Sequence, residues 1–141
     1  MPTSTRFVVS LHMLALMAEH GETPLRSEDI AASVNSNAAV VRALLLRLAS
    51  AGLTRSQLGN RGGAMLARAP ADIRLFDVYD AVEDRNIFAF HRNPPAGDGI
   101  IDRHITDSLG TMLMPVRVGL EEALARLTLA DVLTDIRARA A

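Results

Sequence analysis

The chain of 141 residues has no cysteine, no tryptophan and no lysine. Without cysteine there can be no disulfide, no thiol nucleophile and no cysteine-ligated zinc or iron–sulfur centre. Aromatic residues make up only 4% of a sequence that is 49% hydrophobic. A core of Leu, Ala, Val and Ile favours an all-α or mostly α protein. Long hydrophobic runs are missing too. Phe7 to Ala18 covers about twelve residues, short of the roughly twenty that span a bilayer. His12 interrupts this run and only Arg6 precedes it, so it does not read as a signal peptide. A cytoplasmic protein without membrane contact is expected.

Carboxylates are absent from one long window. Between Ile30 and Ala71 there is no Asp or Glu, yet Arg42, Arg47, Arg55, Arg61 and Arg68 all lie there. The net charge is only −1, but residues 1–70 hold seven Arg and four acids, while residues 71–141 hold eight Arg and twelve acids. A basic first half and an acidic second half suggest a surface facing a polyanion on one side.

Periodicity fills in the elements. Residues 4–20 read as a first helix, apolar nearly all round and so expected to be buried on more than one side. Ser27 followed by Glu28 and Asp29 reads as an N-cap with an acidic first turn. Asn35 and Ser36 break the chain, and a helix over about 37–50 follows, with Val41, Leu44, Leu45 and Leu48 inward at i, i+3, i+4 and i+7. Gly52 stops it. Leu53 to Leu58 and Ala64 to Ala67 are short strands joined by Gly59-Asn60-Arg61-Gly62-Gly63, a hairpin. Leu75, Val78, Tyr79 and Val82 mark another short helix. Residues 86–100 read as a loop around Asn93-Pro94-Pro95-Ala96-Gly97.

From Ile101 the apolar positions Ile105, Leu109, Met112, Val116, Leu120, Leu124 and Leu127 form one stripe with spacings of three or four. Pro115 within it should kink the helix, since an interior Pro costs roughly 3 kcal/mol. Thr128 and Asp131 start a final amphipathic helix. The fold class is therefore mostly α with a small β-hairpin. Residues 1–85 form a winged helix-turn-helix, 86–100 a loop, and 101–141 a dimerisation helix with a tail helix.

A helix-turn-helix places its second helix in the major groove, where residues at its leading end reach base edges. Asn37, Ala39, Val40 and Arg42 occupy that end. Asn can bond adenine, Arg can bond guanine, and small apolar groups can touch a thymine methyl. Asn37 could equally serve only as a cap and Arg42 only as a phosphate contact. Arg47 flanks the outward face, and outward Leu46 is expected to pack on another helix. The hairpin carries Arg55 and, at its tip, Arg61, placed to enter the negative minor groove.

Taken together, several segments resemble a known family. They are Arg6-Phe7 in the first helix, Leu44-x-x-Arg47-Leu48 to Ala51-Gly52-Leu53, Gly62-Gly63-x-x-Leu66-Ala67, and Leu75-x-Asp77-Val78-Tyr79-x-Ala81-Val82-Glu83. In order and spacing they look like the Rrf (BadM-like) winged-helix transcriptional regulators, the group of IscR, NsrR and CymR. The resemblance runs from about residue 4 to Glu83 and extends more loosely to the C-terminus. It implies a dimeric repressor or activator on a near-palindromic operator, with a long C-terminal helix at the dimer interface.

Two departures matter. Sensing members of that family hold an iron–sulfur cluster with cysteines in the loop before the long helix, and residues 90–99 here contain none, so the chain resembles a cluster-free branch. The wing also has Leu58-Gly59 where an Arg-Gly entry is usual, so a minor-groove role for Arg61 is inferred from its place rather than from the family.

Other chemistry is thin. His91, Asp98, Asp102, His104 and Asp107 gather near the loop and the start of the long helix, where His91 and His104 are the first candidates for a divalent metal, although such junction residues are usually solvated. His12 reads as a hydrogen-bonded core or interface residue. No phosphate loop and no acid–base constellation supports an enzyme. The expected partners are double-stranded DNA and a second copy of the chain, with no cofactor, and with a small-molecule effector or a protein as the signal. The competing function is a winged-helix protein–protein module that does not bind DNA.

Overall fold

A computed structural model describes residues 4–141. The elements run α1 (Arg6–His20), α2 (Ser27–Val34), α3 (Ala38–Ser50), β1 (Thr54–Gln57), β2 (Gly63–Leu66), a 3-10 turn (Pro70–Asp72), α4 (Leu75–Val82), α5 (Ile100–Ala125) and α6 (Leu129–Ala140). The architecture is mostly α with one antiparallel hairpin, a winged helix-turn-helix followed by a long helix. No helix among the described residues is long and apolar enough to cross a membrane.

One core serves most of these elements. Met13, Leu14 and Met17 of α1 meet Ile30 of α2, Val41, Leu44 and Leu48 of α3, and Val78 and Val82 of α4. Leu53 and Ile73 seal its edges, and Leu129 and Leu133 of α6 complete it. The tail helix thus returns to the first eighty residues and packs beside α1 and the 3-10 turn. Its start is cut sharply: Thr128 Oγ1 accepts the Asp131 N–H, and Asp131 Oδ2 accepts the Thr128 N–H. That reciprocal pair satisfies two donors the helix cannot bond itself.

The hairpin pairs Thr54 with Leu66 and Gln57 with Gly63. Leu25 extends it, exchanging both backbone bonds with Ala64 at 3.0 and 2.8 Å. This pairing explains one departure from expectation. Because Leu25 is held extended on the wing, Arg26 takes the N-cap position of α2 and Ser27 is already helical, with no side-chain cap.

Three further expectations change. In α1 the buried residues Ser10, Met13, Leu14 and Met17 define a single face, and Val8 is 67% exposed. His12 lies on that outer side and is exposed, so it is not a core residue. Pro115 does not interrupt α5. It removes only the N–H that would bond the Thr111 carbonyl, and both residues are exposed to water, which can take that carbonyl over.

The long stripe on α5 is not a single surface. Leu109, Leu120 and Leu124 are half-buried against the chain, whereas Ile101, Met112, Val116 and Leu127 are exposed. No residue of this 26-residue helix is fully buried.

Candidate nucleic-acid interface

The turn before α3 is made by Asn35, which adopts a left-handed conformation (φ 56°) and ends α2. Asn tolerates that region better than most residues, which is why the chain can reverse within two residues. Asn37 is then extended, and its Oδ1 accepts the Val40 N–H at 3.0 Å. Its capping role is therefore present, and its amide NH2 is what remains to offer a base.

With Val41, Leu44 and Leu48 buried, helical spacing turns Ala39, Val40, Arg42, Ala43 and Leu46 outward. All five are exposed. Leu46 is 71% exposed, so no helix of this chain covers it and the expected packing partner is missing among the described residues.

Arg42 is not alone. Its Nη1 lies 3.8 Å from Glu28 Oε1, and Arg26 lies 3.9 Å from the same carboxylate. Arg55, in the middle of β1, lies 4.0 Å from Glu22. The sequence window free of acids is thus bordered in space by two carboxylates that precede it in the chain. All three pairs are long and solvent-exposed, where such contacts are weak and readily exchanged.

Arg47 has a different environment. Its Nη1 donates to the Val82 carbonyl at 3.1 Å, at the C-terminal end of α4, where a helix favours a cation. It ties α3 to α4. Arg61 stands exposed in the wing turn, and Leu58 beside the turn is 92% exposed.

Between α3 and the wing lies a cleft of about 370 Å³ lined by Ser27, Arg42, Leu46, Ser56 and Gln57, among others. Ser27, Ser56 and Gln57 are not among the contact residues expected from the sequence. Their signal was weak: Ser27 looked like a cap, and the other two are ordinary polar strand residues until the register places them opposite Ala64 and Gly63.

The histidines do not form a centre. His91 and His104 are exposed, and no three His, Asp or Glu side chains come together as metal ligands among the described residues.

The geometry is that of a winged helix-turn-helix, and comparison with known proteins agrees with it. The Rrf2 family model, described as an iron-dependent transcriptional regulator, matches residues 3–135. The chain belongs to the Rrf2 family.

This Rrf2 protein is 36% identical over 138 residues to YwnA of Bacillus subtilis (strain 168), assigned as an HTH-type transcriptional regulator, covering 94% of this chain and 98% of YwnA. Its fold matches T. potens IscR with a TM-score of 0.69 and 28% identity, covering 96% of this chain and 88% of IscR. It also matches CymR, the global cysteine regulator of B. subtilis, with a TM-score of 0.69, covering 95% and 97% of the two chains; at 22% identity that likeness concerns the fold alone. The iron in the family description does not fit the donors present. A cysteine-ligated cluster needs thiolates and the chain has none; the His and Asp side chains of the loop and the start of α5 do not gather into a set of three ligands among the described residues.

Proposed function

We propose that this Rrf2 protein is a sequence-specific DNA-binding regulator that acts in the cytoplasm as a homodimer on a near-palindromic operator, without an iron–sulfur cluster. The observation that carries the reading is the exposed leading end of α3 beside the wing turn, in a chain of a regulator family. In this reading Asn37, Ala39, Val40 and Arg42 meet base edges in the major groove. Arg55 and Arg61 approach phosphates and the minor groove from the wing. Arg47, engaged on Val82, holds α3 against α4 and so fixes how the helix is presented, with a phosphate as a second partner at most.

The division of labour follows. Residues 1–85 and the returning α6 form the DNA-binding unit, and α5 is the arm. Ile101, Met112, Val116 and Gly119 fall on one side of α5 by helical spacing, and Ile101, Met112 and Val116 are 69%, 70% and 50% exposed. An apolar seam of that length is most simply covered by a second copy about a two-fold axis. Two such units would then read half-sites about 34 Å apart or a multiple of it.

Selection of random oligonucleotides on the purified full-length protein tests the proposal. A two-fold related motif is expected. A failure to enrich any sequence, with salt-insensitive retention, would favour the protein–protein module instead, which the exposed Leu46 and Leu58 would serve.

A further inference from the structure

A second cleft lies away from the DNA face, between the loop after α4 and the middle of α5. It measures about 230 Å³, and its walls are Ile87, Phe88 and Phe90 on one side and Leu113 and Met114 on the other. Gly110 and Arg117 of α5, with Asn86, complete it. The lining is thus apolar except at one end. At that end the Arg117 Nε is buried and has no hydrogen-bond partner. The nearest carboxylate, Glu121, lies 3.8 Å from it. Both oxygens of Glu121 are already taken by Arg85, at 2.9 and 2.8 Å.

We infer that this cleft binds a small organic acid: a compact aryl or branched alkyl body with one carboxylate. The body would fill the space between the two Phe rings and Met114, where aromatic and thioether surfaces pack well. The carboxylate would satisfy the one buried donor, Nε, which has no hydrogen bond of its own, while the rest of the Arg117 side chain, 37% exposed, keeps its access to water. A neutral apolar guest would leave that donor bare, and a cation would be repelled by it. The volume is below the roughly 300–1,000 Å³ of sites for drug-sized ligands, so the occupant is small.

The consequence for DNA, unlike the binding itself, rests on the proposed regulator function. Arg85, bound to Glu121 of α5, follows Val82, whose carbonyl holds Arg47 of α3. An acid that draws Arg117 away from Glu121 acts on the joint between α5 and α4, two steps from the recognition helix.

The test uses phenylacetate and its uncharged counterpart phenylacetamide, with the full-length protein. Ligand-observed NMR and thermal unfolding report binding, and fluorescence anisotropy reports operator affinity. Saturable phenylacetate binding in the micromolar-to-millimolar range is expected for a ligand of this size, with phenylacetamide about ten-fold weaker or worse. Arg117→Gln should erase that preference, and Arg117→Lys should restore part of it. Gly110→Leu should abolish binding while the protein stays folded, because a side chain there grows into open space. Absence of saturable phenylacetate binding, equal binding of acid and amide, or indifference to Arg117→Gln would overturn the site. So would conversion of the Gly110 or Arg117 variants to monomers, which would make the cleft a seam between copies. Acid binding by a protein that recognises no DNA would leave the site standing and remove the regulator reading.

Discussion

Glu83, at the end of α4, accepts the backbone N–H of Phe7, 76 residues earlier, at 3.1 Å and thereby caps the start of α1. Thr5, the local N-cap residue of α1, supplies no side-chain bond. The same carboxylate takes the Ser4 hydroxyl at 2.7 Å and the Arg6 guanidinium at 3.3 Å. An anion at a helix start also meets the positive end of the helix dipole. α1 and α4 are in this way locked end to end.

Glu83→Ala should therefore cost about 1–2 kcal/mol of stability, measured by urea unfolding. Partial burial pushes the Glu83 carboxyl up, but the bonds from Ser4, Phe7 and Arg6 outweigh it and hold the group below the ordinary carboxylate range. A carboxyl depressed in the folded state stabilises above its unfolded value, and that contribution is lost as pH falls through the folded one. The gap between wild type and Glu83→Ala should accordingly shrink on acidification below the carboxylate range. A gap that stays constant would mean the loss is one of packing, not of charge.

Much of this fold was legible because its signals are local. The inward stripe of α3, the Asn37 cap, the Thr128–Asp131 box and the glycine-rich wing turn all depend on residues within a few positions of one another. What the sequence could not express is pairing across distance. Glu83 with Phe7, Arg47 with Val82 and Glu121 with Arg85 are separated by 76, 35 and 36 residues. Charge reading failed for the same reason: Glu22 and Glu28 lie outside the acid-free window in sequence and beside it in space. Periodicity marked α5 as apolar, but it could not divide the stripe into a part facing this chain and a part facing outward. The contacts proposed for Asn37, Arg42, Arg55 and Arg61 are with a second molecule, and no spacing within one chain encodes those.

The wing has two positions that no side chain should enter, Gly62, where a Cβ would meet the Gln57 carbonyl, and Gly63. A Cβ on Gly63 would run into the backbone of Leu25, the residue that joins the hairpin through Ala64. Gly63→Ala should break that junction and cost about 1–3 kcal/mol, as overpacking does. Hydrogen exchange of the Ala64 amide, which donates to Leu25 at 2.8 Å, should accelerate more than that of the α1 core. Uniform acceleration would point to global destabilisation instead.

The exposed side of α5 gives a test of assembly that leaves the fold intact. Met112→Glu or Val116→Glu places a charge on the proposed seam, where burial without a partner is costly. Because no residue of α5 is fully buried within its own chain, each variant should remain helical and fold. Light scattering should then show monomers where the wild type is a dimer, and operator affinity should fall because the two half-sites are no longer linked. A monomeric wild type at tens of micromolar, or dimeric variants, would refute the seam.

Base reading and charge can be separated at two arginines. Arg42 projects from the leading part of α3, with Glu28 3.8 Å away as an exposed, exchangeable partner. If it makes a bidentate base contact, Arg42→Ala should cost about 1–3 kcal/mol of binding and relax specificity at one operator position. Arg61 stands exposed in the wing turn, where in the proposed complex its charge would displace counterions from DNA. Arg61→Ala should weaken binding to operator and scrambled DNA alike and reduce the salt slope by about one ion. Glu28→Gln adds a control: freeing Arg42 from its carboxylate should strengthen binding, since it removes both a competitor and a negative charge beside the phosphates. Fluorescence anisotropy over a salt series with both DNAs distinguishes the patterns. Unchanged affinity and slope in the Arg42 and Arg61 variants would mean that this face does not dock DNA, and a protein partner would become the better account of α3 and its exposed Leu46.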